Sequence, residues 1–368
     1  MKEDISSLTI AHLKPDMILA DDAVNKLGVL ILPKDTVLDK ETFLRLRKNN
    51  VISVKVYSDS INENNSLFID LYEQKSNKIA VDTSNPDKNK PEFKKFRITF
   101  RQKMNELKEC IDMINSTENN VKPEQLIHIT DSIMQTVNCR SDLINYMSYL
   151  MKMDDYTYSH SINVSILCNI FGCYVGLEKE EIDDLIVAGL LHDIGKTKLS
   201  PSILKNERNL KPQEFNMFKE YPKLSYNNVM QNRDINDRVK EAILTHREYI
   251  DGSGFPEGLK DNEISIYGKI LGICDAYDTK ISVYGLCPFD VIKNFKNDYI
   301  GLFDTKYLLT FIEFIMYTYV GSYVTLSDNK TGLVMYINPE NLSRPIIKIG
   351  DKAIDLANET DLYIKSMA

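Results

Sequence analysis

The spacing of apolar residues divides the chain into a short mixed part, a long helical part and a last part that alternates. Near the start, residues 27–35 predict a strand that enters a turn, and residues 51–56 alternate as a second strand. Between them, residues 39–49 have helical periodicity, with Asp39 as the predicted N-cap. Residues 1–58 are therefore predicted to form a small α+β N-terminal domain.

The middle of the chain changes from polar to helical. Residues 59–95 are rich in Asn, Ser, Asp and Lys, which predicts a linker or mobile loop. Residues 96–114 and 123–153 then carry apolar side chains at spacings of three and four, as amphipathic helices do. Residues 96–153 are predicted to be connecting helices that lead into the next domain.

Near the end of the chain the spacing of apolar residues changes again. Residues 323–326, 332–337 and 345–349 are short apolar stretches separated by turn residues, which predicts a small antiparallel sheet. We assign no chemistry to this β-rich C-terminal extension, residues 322–368.

Composition and charge limit the functions that this chain can have. With 43% hydrophobic and 27% charged residues among 368, it has the composition of a globular protein. A net charge of −8 gives no general attraction to DNA or to anionic membranes, so an anionic ligand requires a local group of cations. The six cysteines form no Cys-x-x-Cys pair and the start lacks a secretory pattern, so we expect a cytoplasmic protein. Its apolar runs are too short for membrane insertion.

The strongest chemical signal follows an apolar run, residues 185–191. The run is followed directly by His192 and Asp193, and Lys196 comes three residues after Asp193. If one helix continues through this stretch, His192 and Lys196 share a face at i, i+4, where they could hold a metal and a phosphate. The alternative is a His-Asp pair that only caps the buried end of a core helix. His160, one helix earlier, favours the metal site.

Further candidates follow downstream. His246 and Arg247 end a predicted helix, and residues 251–256 form a Gly- and Pro-containing turn that can bring backbone N–H groups near a ligand. The next predicted helix, residues 267–280, carries Asp275 and Asp278 at i, i+3.

In this order, the motifs resemble the HD-GYP family, the branch of the HD metal-dependent phosphohydrolases that opens the bacterial second messenger cyclic di-GMP. They are His160, His192-Asp193 with Lys196, His246 with Glu248, residues 251–256, and Asp275 with Asp278. The resemblance implies a mainly α fold, with an HD-type helical bundle over residues 154–321 and a metal site at its centre.

The resemblance also implies roles for individual residues. Metal ligands would be His160, His192, Asp193, Asp275 and His246. Catalytic residues would be Asp193 and Lys196, and the substrate would contact Lys196, Arg247, Gly252, Ser253, Gly254 and Phe255. Mixed nitrogen and oxygen ligands suit iron, manganese or zinc.

Departures from the family pattern argue against a second metal site. Tyr221 and Arg247 stand where family members with two metals have histidines, and Phe255 replaces the tyrosine of the family's name. One transition metal is therefore expected, with slow hydrolysis of cyclic di-GMP or a related nucleotide. The alternative is a degenerate module that binds cyclic di-GMP or a signalling protein, and a weaker one is hydrolysis of a nucleotide monoester. The oligomeric state stays open.

Overall fold

A computed structural model describes residues 5–9, 13, 15–24, 30–48, 53–57, 90–116, 120–137, 140–150 and 156–368. The chain divides into two compact units, residues 1–80 and residues 81–368. Parts of the predicted strands at 27–29 and 51–52, and most of the predicted linker, lie outside the described residues.

The first unit contains two short antiparallel strand pairs and one helix. Strand β1, Ile5–Thr9, pairs with β4, Ser53–Tyr57, and β2, Ala23–Val24, pairs with β3, Leu30–Leu32. Helix α1 is Lys40–Lys48, and the Asp39 carboxylate accepts a hydrogen bond from the Thr42 N–H at 2.8 Å, which confirms Asp39 as its N-cap. A separate core packs between these elements: Met17, Leu19, Leu32, Leu38, Leu46 and Val56.

The second unit is mainly helical, which confirms the predicted fold class. Its α-helices are α2 Pro91–Asn115, α3 Pro123–Met134, α4 Arg140–Tyr149, α5 Tyr156–Val175, α6 Lys179–Leu191, α7 Pro201–Lys205, α8 Pro212–Phe218, α9 Tyr221–Met230, α10 Asp237–Thr245, α11 Ile266–Asp278, α12 Pro288–Asp298 and α13 Thr305–Tyr317. Short 3₁₀ segments occupy Ile194–Lys198, Glu207–Asn209 and Asp261–Glu263, and a π-helical turn, Thr279–Val283, follows α11. None of the helices in the described ranges is both long and apolar enough to cross a bilayer.

Two helix boundaries differ from the sequence prediction. Helix α2 begins at Pro91, inside the predicted linker, because proline is favoured in the first turn, where its missing N–H is not needed. The single helix predicted over residues 123–153 is two helices, α3 and α4. Backbone bonds of Thr136 and Val137 to the carbonyls of Ile133 and Met134 close a turn after α3.

Helices α5 and α6 pack against each other at very short range. A Cβ added to Gly189 would lie 2.7 Å from the Ser165 Cα, so only glycine allows this approach. The contact brings the end of α6 beside the first turns of α5. Histidines on the two helices can therefore meet.

The chain ends in a five-stranded antiparallel sheet. Its strands are β5 Tyr323–Leu326, β6 Thr331–Tyr336, β7 Ile346–Ile349, β8 Lys352–Asp355 and β9 Ile364–Met367, in the order β8-β7-β6-β5-β9. The strands β5, β6 and β7 were expected from the sequence. Strands β8 and β9 were not, because each has only four residues, two of them exposed, which is too short for a clear alternating pattern.

Candidate metal centre

Three buried side chains from three helices meet at the centre of the second unit. His160 lies on α5, His192 directly follows α6, and Asp275 lies on α11. The Nε2 atoms of the two histidines are 3.2 Å apart, and the Asp275 Oδ1 lies 3.1 Å from the His160 Nε2 and 3.7 Å from the His192 Nε2. Each of the three residues is at most 2% exposed. The structure therefore brings together predicted ligands that are separated by 115 residues.

Hydrogen bonds on the far sides of the rings fix the direction in which the two imidazoles face. The His192 Nδ1 lies 2.8 Å from the Gly189 carbonyl oxygen, and the His160 Nδ1 lies 2.7 Å from the Asp278 Oδ2. Carbonyl and carboxylate oxygens only accept, so each Nδ1 must carry the proton. Each ring therefore directs its Nε2 at the other ring and at Asp275, and a metal ion that displaces the Nε2 proton would find the lone pair there. Such a convergence of acceptors fits a bound cation.

Asp193 completes this group of acceptors. It is 1% exposed, and its oxygens lie 3.6 Å from the His160 Nε2 and 3.5 Å from the His192 Nε2. Within the described residues neither oxygen accepts a hydrogen bond of good geometry, although the Lys196 Nζ lies 2.9 Å from Oδ2. Burial raises the pKa of Asp193, but the charges of His192, Lys196 and His160 outweigh it and lower the pKa overall. The carboxylate is therefore ionised and available to a cation.

The backbone around Asp193 corrects one sequence prediction. Helix α6 ends at Leu191 and a 3₁₀ turn, Ile194–Lys198, follows, so no single α-helix carries both His192 and Lys196. A Cβ on Gly195 would lie 2.2 Å from the Tyr221 carbonyl oxygen, and the Gly195 N–H donates to the Ser225 Oγ at 2.8 Å. The turn packs against α9, and within it Lys196 forms an ion pair with Asp193.

The alternative of a purely structural His-Asp pair holds for one nitrogen of His192. The His192 Nδ1–H does cap the end of α6, because it donates to the carbonyl of Gly189 in the last turn. The Nε2 of the same ring faces His160 and Asp275. One imidazole thus serves both the helix end and the cluster.

Surrounding carboxylates make the cluster strongly attractive to positive charge. Burial lowers the pKa of His160, but the bonds to Asp275 and Asp278 outweigh it and raise the pKa to about 10. The same electrostatic attraction applies to a metal ion, which would compete with that proton for Nε2. The donor set of His160, His192 and Asp275, two imidazoles and one carboxylate, therefore fits a divalent transition metal. Asp193 lies beside it, with oxygens 3.6 Å from the His160 Nε2 and 3.5 Å from the His192 Nε2.

His246 lies beside the cluster and is already hydrogen-bonded on both sides. Its Nδ1 lies 2.7 Å from the Ile243 carbonyl, and its Nε2 lies 3.0 Å from the Tyr221 hydroxyl. Burial raises the pKa of Tyr221 well above its usual value, so the phenol stays protonated and donates. Burial also lowers the pKa of His246 to about 3, which keeps the ring neutral. His192, Asp193 and His246 form a second possible ligand group, but Tyr221 occupies the His246 lone pair.

Arg247 is also paired within the cluster. Its Nη1 lies 2.8 Å from the Asp275 Oδ2, on the carboxylate that faces the histidines with Oδ1. The guanidinium carbon lies 5.5 Å from the centroid of the Phe255 ring. Tyr221 and Arg247 thus each contact a predicted metal ligand, His246 and Asp275 respectively.

The loop over residues 251–256 is held by its own side chains. The Asp251 carboxylate accepts from the Ser253 N–H at 2.9 Å and from its hydroxyl at 2.7 Å. The Gly252 N–H donates to the Tyr249 carbonyl and the Phe255 N–H to the Arg247 carbonyl. The N–H groups of Gly252, Ser253 and Phe255 thus each have a hydrogen-bond partner within the protein.

Buried Glu248 supports the same region. Its carboxylate accepts hydrogen bonds from three consecutive backbone N–H groups, those of Glu257, Gly258 and Leu259, at 2.7 to 3.1 Å. The Phe255 ring packs edge-on against Tyr221 at 6.3 Å. Phe255 is therefore placed beside the cluster by side-chain packing.

Sequence reasoning missed several contacts that orient the ligands. Asp278 holds the His160 ring, Asn163 donates to the other Asp278 oxygen at 3.0 Å, and Thr279 donates to the Asp275 Oδ1 at 3.1 Å. The i, i+3 spacing of Asp275 and Asp278 was a usable signal, since both carboxylates then lie on one side of α11. Asn163 and Thr279 carried no comparable signal.

Comparison with known proteins gives consistent matches. A model of the HD domain family matches residues 113–286. A cyclic di-GMP phosphodiesterase of Pseudomonas aeruginosa is 28% identical over 225 residues, which are 60% of this chain and 53% of that protein. A cyclic di-GMP phosphodiesterase of Borreliella burgdorferi is 30% identical over 213 residues, 55% of each chain. This chain thus spans about half the length of these curated relatives.

A solved structure, an HDG"Y"P protein of Bdellovibrio bacteriovorus, is also similar. The TM-score is 0.49 and the identity 17%, over 85% of this chain and 99% of that chain.

Proposed function

Because this chain belongs to the HD-GYP family of HD domain proteins, we propose that it is a metal-dependent phosphohydrolase acting on cyclic di-GMP or a related cyclic dinucleotide. The observation that carries the proposal is the convergence of the His160 and His192 Nε2 atoms with the carboxylates of Asp193 and Asp275. His160, His192, Asp193 and Asp275 would hold one iron, manganese or zinc ion. His246 remains a ligand candidate, but its hydrogen bond with the Tyr221 hydroxyl must break before its Nε2 can bind a metal.

Hydrolysis of a phosphodiester requires water to attack phosphorus while the bond to one ribose oxygen breaks. A bound transition metal supplies Lewis acidity toward the phosphoryl oxygens and a water of lowered pKa. The protein's own contribution is orientation: Asp278 and the Gly189 carbonyl hold the two imidazoles, and Arg247 and Thr279 hold Asp275.

In this proposal Lys196 would neutralise a phosphoryl oxygen. Its ammonium has three N–H donors, and Asp193 at 2.9 Å and Glu207 at 3.3 Å lie close enough to use two of them. The Tyr221 ring lies 4.9 Å from its Nζ. We propose that the third donor serves the substrate, together with Arg247 and the Phe255 ring, while Gly252, Ser253 and Gly254 shape the loop that carries Phe255.

A second candidate function is cyclic dinucleotide binding without turnover. It is favoured by the Tyr221–His246 and Arg247–Asp275 contacts, which satisfy ligand atoms from within the chain. A guanidinium can hold a phosphate but cannot generate hydroxide. Loss of a second metal would slow hydrolysis by roughly 10²- to 10⁴-fold.

The test is cleavage of cyclic di-GMP to a linear dinucleotide. The reaction is supplied with iron, manganese or zinc, and the product is measured by chromatography. We expect weak cleavage by the natural protein that a chelator removes, and none by Asp193→Asn, because the amide lacks the charge that a metal ligand supplies. Asp298→Asn, an exposed change of the same kind, is the matched control and should cleave normally.

The double variant Tyr221→His, Arg247→His separates the two functions. It frees His246 and Asp275 and adds two imidazoles, so we expect a second metal by elemental analysis and cleavage at least about tenfold faster, or about 1.4 kcal/mol. If the natural protein binds cyclic di-GMP but cleaves no faster than Asp193→Asn, the binding function replaces the enzyme.

A further inference from the structure

A pocket adjoins the histidine cluster at His246 and Arg247. Its volume is about 70 Å³, and its wall carries two cations, Arg247 and Lys280, and four aromatic side chains. The aromatic residues are Tyr249, Tyr284, Tyr299 and Phe303. No part of the mechanism above uses Lys280 or these rings.

The side chains around Lys280 leave its charge uncompensated by acidic groups. The Lys280 Nζ lies 5.0 Å from the centroid of the Tyr284 ring and 5.7 Å from that of Tyr299. Among the residues that the structure describes, no carboxylate forms an ion pair with Lys280. Most other lysines and arginines of the cluster region, including Lys196, have acidic partners. Lys280 is half-buried, and a basic side chain without an acidic partner favours an anionic ligand.

The aromatic side chains of the pocket wall pack against one another. Tyr299 and Phe303 stack with their centroids 5.2 Å apart and their planes 17° apart, and Tyr249 packs edge-on against Phe303 at 5.4 Å. Tyrosine hydroxyls are protonated donors at neutral pH. The pocket is therefore lined by two basic side chains and by tyrosines whose hydroxyls can donate hydrogen bonds.

The pocket and the metal cluster share a wall. His246, Arg247 and Thr279 line the pocket, and two of these residues bond to Asp275: Arg247 through Nη1 and Thr279 through Oγ1. A guanidinium has five N–H donors, so the bond to Asp275 leaves donors for a second anion. A ligand with two phosphate groups could thus place one at the cluster and the other in the pocket.

We propose that this pocket binds the non-reacting phosphate of the cyclic dinucleotide, with Lys280 and Arg247 as its cationic contacts. The assignment rests on the proposed function and names a subsite for it. A pocket of about 70 Å³ exceeds the roughly 10–15 Å³ that one water needs. It is smaller than the roughly 300–1,000 Å³ of a pocket that encloses a whole small molecule. Its size therefore suits a phosphate group rather than a guanine base.

The experiment measures equilibrium binding of cyclic di-GMP by calorimetry for the natural protein, Lys280→Gln, Lys280→Arg and Lys293→Gln. Removing a charged donor to phosphate should weaken binding by about tenfold or more in Lys280→Gln and reduce its salt dependence. Lys280→Arg should restore most of the affinity. Lys293→Gln, an exposed lysine on α12 outside the pocket, should bind as the natural protein does.

A ligand with a single phosphodiester makes the test specific. Bis(4-nitrophenyl) phosphate cannot reach both positions, so Lys280→Gln should raise its KM much less than it raises the dissociation constant of cyclic di-GMP. Equal losses for the two ligands, or none for cyclic di-GMP, would overturn the pocket assignment while cleavage by the natural protein upholds the proposed function. If the natural protein neither binds nor cleaves cyclic di-GMP, both proposals fail together.

Discussion

Asp278 holds the His160 ring in one orientation. Its Oδ2 lies 2.7 Å from the His160 Nδ1, and its Oδ1 accepts from Asn163 at 3.0 Å, so the carboxylate is itself fixed. The bond keeps a proton on Nδ1 and directs Nε2 toward Asp275. A carboxylate behind a metal-binding imidazole also raises its basicity.

We predict that Asp278→Asn weakens metal binding by about 10- to 100-fold, the usual range for loss of such a partner. The amide either rotates or donates to the ring, and both outcomes disturb the Nε2 lone pair. Competition with a metal-sensitive chelator measures the affinity, and Asp298→Asn is the exposed control. Equal affinity in the two variants would show that Asp278 only packs.

At the scale of single residues, sequence reasoning found the cluster but not its contacts. The order and separation of His160, His192 and Asp275 carried enough information to group them. Tyr221 was predicted only as the absence of a histidine, and Arg247 as the absence of a histidine and as a contact of the substrate. Their hydrogen bonds to His246 and Asp275 depend on how α9 and α10 pack, which spacing along the chain does not encode.

Among the elements, the turn between α6 and α7 decides where Asp193 and Lys196 point. The helical pattern of residues 185–191 suggested continuation, but the chain tightens into a 3₁₀ turn at Ile194–Lys198. The reason is tertiary: Gly195 lies against the Tyr221 carbonyl and the Ser225 N–H of α9. Local periodicity cannot predict a turn that another helix imposes.

We predict that Gly195→Ala destabilises the fold and weakens metal binding together. The added Cβ would lie 2.2 Å from the Tyr221 oxygen and 2.5 Å from the Ser225 nitrogen, so backbone must shift. Such overpacking costs about 1–3 kcal/mol, and each kcal/mol lowers Tm by about 2–4 °C in a unit of this size. Calorimetry with and without zinc measures both effects.

Gly172→Ala on α5 is the matched control, because its Cβ would meet only side chains, at 3.3 Å or more. A helical alanine also gains up to about 1 kcal/mol over glycine. We expect little change in its Tm. A comparable loss in both variants would mean that the close approach at Gly195 is not the cause.

At the scale of the whole molecule, the C-terminal sheet belongs to the helical core. Val324, Leu326, Val334 and Ile347 are fully buried in the same apolar cluster as the helices. The Ser322 hydroxyl donates to the Asn145 Oδ1 on α4 at 2.9 Å, and both residues are buried. Alternation along the strands predicted a sheet, but an apolar face alone does not say which surface it will cover.

The last prediction compares two deletions, because the two ends of the chain relate differently to the core around the metal cluster. Residues 1–80 form a unit with its own small core, whereas the cluster of apolar side chains in the second unit extends from Phe93 to Ile364. We therefore expect a chain lacking residues 1–80 to keep a cooperative unfolding transition and to bind one metal. A chain lacking residues 322–368 would uncover apolar surface and leave the Asn145 oxygen without its partner, the latter alone costing about 1–3 kcal/mol. It should aggregate or melt at a clearly lower temperature, as measured by circular dichroism. If both deletions bind metal with natural affinity and melt alike, the sheet is an appendage and the helical bundle is sufficient by itself.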